Sequence, residues 1–298
     1  MRLARSANGL RWAASRGYPL RGTSFSVRAI GKVIENLSVR APLCYTRSVK
    51  ILVSNDDGIA APGLHALAAA LRKHGEVAIC APEGPRSGAS SALTLYTPLM
   101  VTTVSKNCWS VSGNPADAVK LALNELLSAK PDIVVSGINN GLNTGANVLY
   151  SGTVAAALEG AQAAITSFAV SRKFSHNEDF RLEAKLAADL IVRMVRRHPR
   201  TSTVFNINIP HVKPRGVQVT PIEPAPYVDK YDRRADPRGR VYYWLHGTPP
   251  RALERNGHAT DDEAIAKGFI TITPLRRNLT DERLLEDLGR LLDRTSKR

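Results

Sequence analysis

With 298 residues the chain can bury one sizeable core or two modest ones, and its apolar runs are strand-sized, too short to span a membrane. Three scattered cysteines (Cys44, Cys80 and Cys108) form no CxxC or Cys/His cluster, which argues against a disulfide scaffold and a zinc site and fits a reducing compartment. The net charge of +15 invites a nucleic-acid reading, but residues 1–48 hold eight Arg and one Lys against the single acid Glu35, a net of +8 that leaves +7 for the rest. A moderately basic body attracts phosphorylated substrates. It does not amount to a polynucleotide footprint, so no stable nucleic-acid partner is expected.

Residues 1–48 are Arg-rich, Ser-bearing and almost free of acids. Three readings of this leader stay open. It is an organellar transit peptide, a disordered basic tail for an acidic partner, or a stretch not normally translated, with the compact pattern starting at Val49-Lys50-Ile51. The expected location is cytoplasmic, or organellar if the transit reading holds. Residues 49–298 carry the fold.

The stretch Ile51-Leu-Val-Ser-Asn-Asp-Asp-Gly58 is an apolar run that ends in two carboxylates and a glycine. Pro62, Leu64, Leu67, Ala68 and Leu71 then follow at helical spacing, with Gly75 as a stop. Residues 77–81 predict a second strand that runs into the loop Pro82-Glu-Gly-Pro-Arg-Ser-Gly-Ala-Ser90. Asn114-Pro115 starts a helix with Val119, Leu121, Leu123, Leu126 and Leu127 among its apolar positions. Residues 132–136 predict a third strand, opening into Gly137-Ile-Asn-Asn-Gly-Leu-Asn-Thr-Gly145. A small-residue helix over 153–164 suits close packing on a sheet, and a strand over 168–170 follows. Residues 178–198 predict an amphipathic helix with Leu186, Leu190 and Met194 on one stripe, stopped at Pro199. Its basic end complements the helix dipole.

After a strand over 204–209 the pattern changes at about residue 211. Strand signals over 241–245 and 269–273, and a helix over 281–293, predict a β-rich C-terminal extension. The βαβ alternation before it predicts a Rossmann-like α/β fold, a mostly parallel sheet flanked by helices.

Three strand-end loops carry polar oxygens: Asp56-Asp57, Ser87 to Ser90, and Asn139-Asn140-Gly-Leu-Asn143. In a parallel sheet all three fall on one edge, where such folds bind ligands. An oxygen-only donor set suits Mg²⁺ or Mn²⁺. Each loop alone is also ordinary turn and capping chemistry. Tyr150-Ser-Gly-Thr153 precedes a helix, where free N–H groups favour phosphate and where a plain Ser or Thr cap is equally at home.

The motifs together resemble the SurE family of metal-dependent nucleotidases. The matching segments are Ser54-Asn-Asp-Asp-Gly58, Ala61-Pro-Gly63, Arg86-Ser-Gly-Ala-Ser90, Pro115-Ala-Asp117, Ser136-Gly-Ile-Asn139, Tyr150-Ser-Gly-Thr-Val154, Glu159-Gly160, Thr260-Asp261 and Ile272-Thr-Pro-Leu275. They occur in the family order over residues 49 to about 275. The loop Pro82-Glu-Gly-Pro-Arg86 lacks the Asp and Asn frequent before Arg-Ser in the family, and Asn114 stands where Thr is usual.

The resemblance implies one divalent cation, Mg²⁺ or Mn²⁺, held by Asp56, Asp57, Ser87 and Asn139, with Asp56 and Asp57 also the catalytic carboxylates. It implies hydrolysis of nucleoside 5′-monophosphates, in some members of 3′-nucleotides and short polyphosphate, and a homodimer or homotetramer formed by exchanging the extension. Expected substrate or phosphate contacts are Asn55, Ser90, Asn143, Ser151, Gly152 and Thr153. The rival from the residues alone is a non-enzymatic nucleotide- or RNA-binding module using the basic charge. A second is a metal-dependent esterase or phosphatase on other substrates.

Overall fold

The computed structural model describes residues 48–197, 202–211, 213–225, 228–248 and 259–295. The basic leader read at 1–48 lies outside them apart from Ser48, as does the helix stop at Pro199.

Six strands run parallel: β1 (Val49–Ser54), β2 (Gly75–Pro82), β4 (Cys108–Val111), β5 (Ile133–Asn140), β6 (Thr166–Arg172) and β7 (Val204–Ile209). With antiparallel β3 (Val101–Ser105) at one edge and β11 (Ile270–Leu275) and β8 (Val217–Val219) at the other, the order is β3-β4-β2-β1-β5-β6-β7-β11-β8. The chain leaves β1 toward β2 and later returns on its other side as β5. The crevice between the ends of β1 and β5 is therefore the point where strand order reverses.

Because side chains alternate along a strand, the apolar run of β1 feeds both faces of the sheet. Ile51 and Val53 join α1 (Pro62–Leu71) and α4 (Arg181–Arg197) in one core, with Leu64, Leu67, Phe180, Ala187 and Ile191. Leu52 faces α2 (Pro115–Leu121) and α3 (Gly152–Gln162), with Val119, Val134 and Ala156. The result is a three-layer α/β/α body. Several boundaries differ from the sequence reading. Helix α1 ends at Leu71, and Gly75 opens β2. Beyond Leu121, α2 widens into a π-helical turn, Ala122–Leu126. Strand β5 continues through the expected loop to Asn140, with a register shift between Ser136 and Asn139. On α4 the buried stripe is Ala184, Ala187, Ala188, Ile191 and Val195. Leu186, Leu190 and Met194 flank it half-buried, because the small stripe lets α4 lie close to α1.

The extension divides. Strands β8 and β11 complete the main sheet, and a short helix α5 (Asp261–Ala266), capped by Thr260, packs beside them. Strands β9 (Val228–Ala235) and β10 (Val241–Thr248) form a separate two-stranded antiparallel ribbon. Helix α6 (Glu282–Thr295) closes the described chain. The ribbon exposes Tyr231, Val241, Tyr243, Trp244 and Leu245, and α6 exposes Leu284, Leu285, Leu288 and Leu291.

Candidate active site

The site begins where β1 stops. Asn55 closes the turn: its amide donates to the Gly58 carbonyl at 3.0 Å, and its Oδ1 accepts the Gly58 N–H at 3.2 Å. That turn sets Asp56 and Asp57 at the mouth of the crevice. Cross-strand pairing of Ser54 with Ser136 puts the end of β5, with Asn139, next to them. The Asn140 backbone N–H donates to the Asp57 carboxylate. The loop after β2 is tied down as well: the Arg86 N–H donates to the Asp56 carbonyl at 2.7 Å, and Ile59 N–H to Pro82 at 2.7 Å. Ser87, the next residue, is exposed on that loop. The fold thus draws the segments bearing Asp56, Asp57, Ser87 and Asn139 to one edge.

Helix α3 starts directly against Asp56. The Thr153 hydroxyl donates to Asp56 Oδ1 at 2.5 Å, and the Thr153 backbone N–H also donates to that carboxylate. Asp56 therefore occupies part of the helix N-terminus, where an anion is favoured. Gly152 permits the approach: a Cβ there would sit 2.7 Å from Asp56 Cβ and 3.2 Å from Pro115 Cγ. Ser151 caps the helix by accepting the Val154 N–H at 3.1 Å.

Burial raises the Asp56 pKa against the pull of the Thr153 hydroxyl and N–H. Burial, reinforced by the Asp56 charge, pushes Asp57 up to about 6, offset in part by the Asn140 N–H. Among the described residues no Lys, Arg or His forms an ion pair with either. Two adjacent desolvated carboxylates with no cationic partner are a poor arrangement alone and a good one around a cation. Asn139 donates its amide to the Gly141 carbonyl at 2.8 Å, which fixes the side chain and leaves Oδ1 as an acceptor. Aspartate, serine and asparagine oxygens suit a hard divalent ion, so the residues present fit the expected cation.

The expected substrate contacts are less uniform. Asn55 has both ends of its amide in the turn, and the Thr153 hydroxyl is engaged with Asp56, so both build the site from behind. Asn143 is drawn away from it. Its amide donates to Ser171 Oγ at 2.7 Å, its N–H to Asn208 Oδ1 at 2.9 Å, and its carbonyl accepts from Asn206 and Asn208. Ser90 ties two loops together, donating from Oγ to the Leu149 carbonyl at 2.7 Å with its own backbone in the left-handed region at φ 49°. Gly152 lies against Asp56, Ser151 precedes it, and Ser90 is bonded to Leu149 and Tyr150 just before them.

Three residues that the sequence reading gave no role shape this edge. Buried Arg172 donates to Asn140 Oδ1 at 3.0 Å and stacks 3.5 Å over the Phe180 ring. Buried Asp261 accepts the Gly145 N–H at 3.1 Å and the Glu223 N–H at 2.8 Å, joining the extension to the loop before Ser151. Buried Asp117 bonds across to Thr94. Asp117 is a single carboxylate among apolar neighbours, a signal that was present in the sequence, whereas Asp261 stands at the head of the acidic run Asp261-Asp262-Glu263 and looks like ordinary helix-start chemistry.

The model of the family described as survival protein SurE matches residues 51–229. The chain belongs to the SurE family. A relative called 5′-nucleotidase SurE from Pelotomaculum thermopropionicum is 44% identical over 252 residues, covering 82% of this chain and 95% of that protein. One of the same description from Rhodopirellula baltica is 44% identical over 248 residues, covering 80% and 97%. The crystal structure of the SurE protein from Aquifex aeolicus superposes with a TM-score of 0.71 at 34% identity, over 81% of this chain and 99% of that one. The family-model match begins inside β1, at residue 51. Among the described residues no helix is long and apolar enough to cross a membrane.

Proposed function

We propose that this chain is a divalent-cation-dependent 5′-nucleotidase that hydrolyses nucleoside 5′-monophosphates to nucleoside and phosphate. The observation that carries this is the Asp56–Asp57 pair, desolvated at the reversal point of a SurE-family sheet and set against the start of a helix. Asp56, Asp57, Ser87 and Asn139 would hold Mg²⁺ or Mn²⁺. The bound cation supplies Lewis-acid polarisation of the phosphoryl oxygens and a lowered pKa for water. Thr153 keeps Asp56 in one orientation, and the Asn140 N–H does the same for Asp57. Ser90, Ser151 and Gly152 line the position of the phosphoryl group. A carboxylate oxygen of Asp56 or Asp57 accepts the proton of the attacking water. The same chemistry extends to 3′-nucleotides and short polyphosphate, whose reacting centre is also a phosphoryl group.

The test is phosphate release from a panel of 5′- and 3′-nucleotides, short polyphosphate, sugar phosphates and acyl esters. The full-length protein is stripped of metal and given Mg²⁺, Mn²⁺ or Zn²⁺ one at a time. Release from 5′-nucleotides with Mg²⁺ or Mn²⁺ is expected. Binding without release under every metal favours the non-enzymatic module instead, and preference for acyl esters the esterase.

The homo-oligomer belongs to this proposal. A two-stranded ribbon is marginal in water by itself, and α6 presents leucines at 284, 285, 288 and 291, one apolar face at helical spacing. A second copy of the chain is the partner that covers both.

A further inference from the structure

Ser87 and Ser90 stand on a long segment between β2 and β3, residues 83–100. It is tied at its start by Arg86, whose guanidinium donates to the Ser112 carbonyl at 3.0 Å, and at its end by Met100, whose N–H donates to Ser112 Oγ at 2.9 Å. Between Ser91 and Pro98 seven of the eight side chains are exposed, with Thr94 the half-buried exception. That stretch is hydrogen-bonded across to the body at Thr94. The Thr94 N–H donates to both carboxylate oxygens of Asp117 at 3.1 Å, and its hydroxyl donates to Asp117 Oδ2 at 2.7 Å.

Asp117 is built for this task. It sits in the first turn of α2, is 4% exposed, and accepts the Asn114 N–H at 2.8 Å as well. A carboxylate buried so deeply needs such donors, and charge-assisted bonds of this kind are stronger than neutral ones. Gly113 keeps the approach open: a Cβ there would lie 2.7 Å from Asp117 Oδ2 and 2.5 Å from Leu99 Cδ2. The same helix α2 touches the catalytic edge through Pro115, which lies beside Gly152 and hence Asp56. One rigid element thus meets both the carboxylate pair and the serine segment.

We propose that Asp117 is a positioning residue, whose carboxylate latches residues 83–100 at Thr94 and so fixes where Ser87 and Ser90 stand over Asp56 and Asp57. This rests on the phosphomonoesterase reading for its kinetic consequence, not for the latch itself. A latch held by a fixed carboxylate pre-orders the segment before substrate arrives. The Arg86 N–H on the Asp56 carbonyl and Ser90 on Leu149 and Tyr150 hold the serines from one side, and the latch holds the segment that follows them. Without it that anchoring slackens, and loss of pre-organised geometry lowers turnover of the bound complex.

The test compares the full-length protein with Asp117→Asn, Thr94→Val and Thr94→Ser. Valine keeps the shape and the backbone N–H bonds but removes the hydroxyl bond; serine restores it. Steady-state hydrolysis of a nucleoside 5′-monophosphate is paired with amide hydrogen exchange of the metal-free protein. Asp117→Asn should lower kcat/KM by about tenfold to a hundredfold. Thr94→Val should lower it less, and Thr94→Ser should match the parent. Exchange over residues 88–96 should quicken in Asp117→Asn and Thr94→Val while β1 and β5 keep their protection. Unchanged exchange over 88–96 in both variants, or a lower melting temperature with unaltered kinetics, overturns the latch. If Asp117→Asn does not fold, the Thr94→Val and Thr94→Ser pair decides by the same readouts. If the parent protein releases no phosphate, the functional reading fails and exchange alone decides, with quickened exchange supporting the latch and unchanged exchange overturning it.

Discussion

The crevice between β1 and β5 and the ribbon with α6 are opposites in how they satisfy their own chemistry. Around the crevice, many polar groups have a protein partner: Asn55 with Gly58, Thr153 with Asp56, Asn143 with Ser171 and Asn208, while the buried Ser54 and Ser136 hydroxyls and Arg86 Nε have none among the described residues. What is left over is negative charge on Asp56 and Asp57. In the ribbon and α6, local geometry is regular but apolar side chains face outward, from Tyr231 and Trp244 to Leu288 and Leu291. The first region offers carboxylate oxygens that suit a small cation; the second offers apolar side chains that suit a large apolar surface. Each deficiency names its complement, and the two can be broken separately.

The largest separation is expected from Asp57→Asn. Removing one anionic ligand should lower hydrolysis by more than about a hundredfold. The metal-free variant should melt no lower than the parent, because a desolvated, like-charged carboxylate is a cost to the fold. Differential scanning of both proteins in chelator checks the second half. Replacing both Leu284 and Leu288 by Asp should do the reverse. The mass by light scattering should shift toward monomer, while Mn²⁺ binding to the crevice persists.

Gly152→Ala probes the seam between Asp56 and helix α3. The added methyl meets Asp56 and Pro115, so the helix start must retreat. Overpacking of this kind costs about 1–3 kcal/mol, and a comparable fall in kcat/KM should accompany it. Asn143→Ala sharpens the line between building and binding. It leaves Asn208 Oδ1 its backbone donor but strips Ser171 of the amide, and should cost about 1–3 kcal/mol of stability with KM little changed. A large rise in KM without loss of stability would instead return Asn143 to the substrate. The smallest effect belongs to a chain beginning at Val49, expected to keep full activity and native mass. Lost activity would give the leader a part in function.

The body of the fold was legible because buried parallel strands write themselves as apolar runs and helices as spaced leucines and alanines. The run ending at Asp56-Asp57 marked both the strand and the carboxylate pair at its end. Strand β3 was not legible, since all of Val101–Ser105 is exposed and its pairing comes from β4. Strand β9 hid for the same reason: VDKYDRRA is mostly charged and is a strand only opposite β10. In the site, residue type found the carboxylates, but type alone cannot separate a hydroxyl facing substrate from one facing a neighbour. Ser151 and Thr153 lie two residues apart, yet one caps α3 and the other orients Asp56. Long-range partners such as Thr94 for Asp117, or Gly145 for Asp261, exist only once the chain has folded.

The most direct measurement is phosphate release from a nucleoside 5′-monophosphate by full-length protein freed of metal, followed as Mn²⁺ is titrated back, beside Asp57→Asn treated alike. The account predicts no release in chelator, a rise that saturates at one cation per chain, and a flat trace for the variant. Undiminished release in chelator, or a parental titration curve from Asp57→Asn, would contradict it.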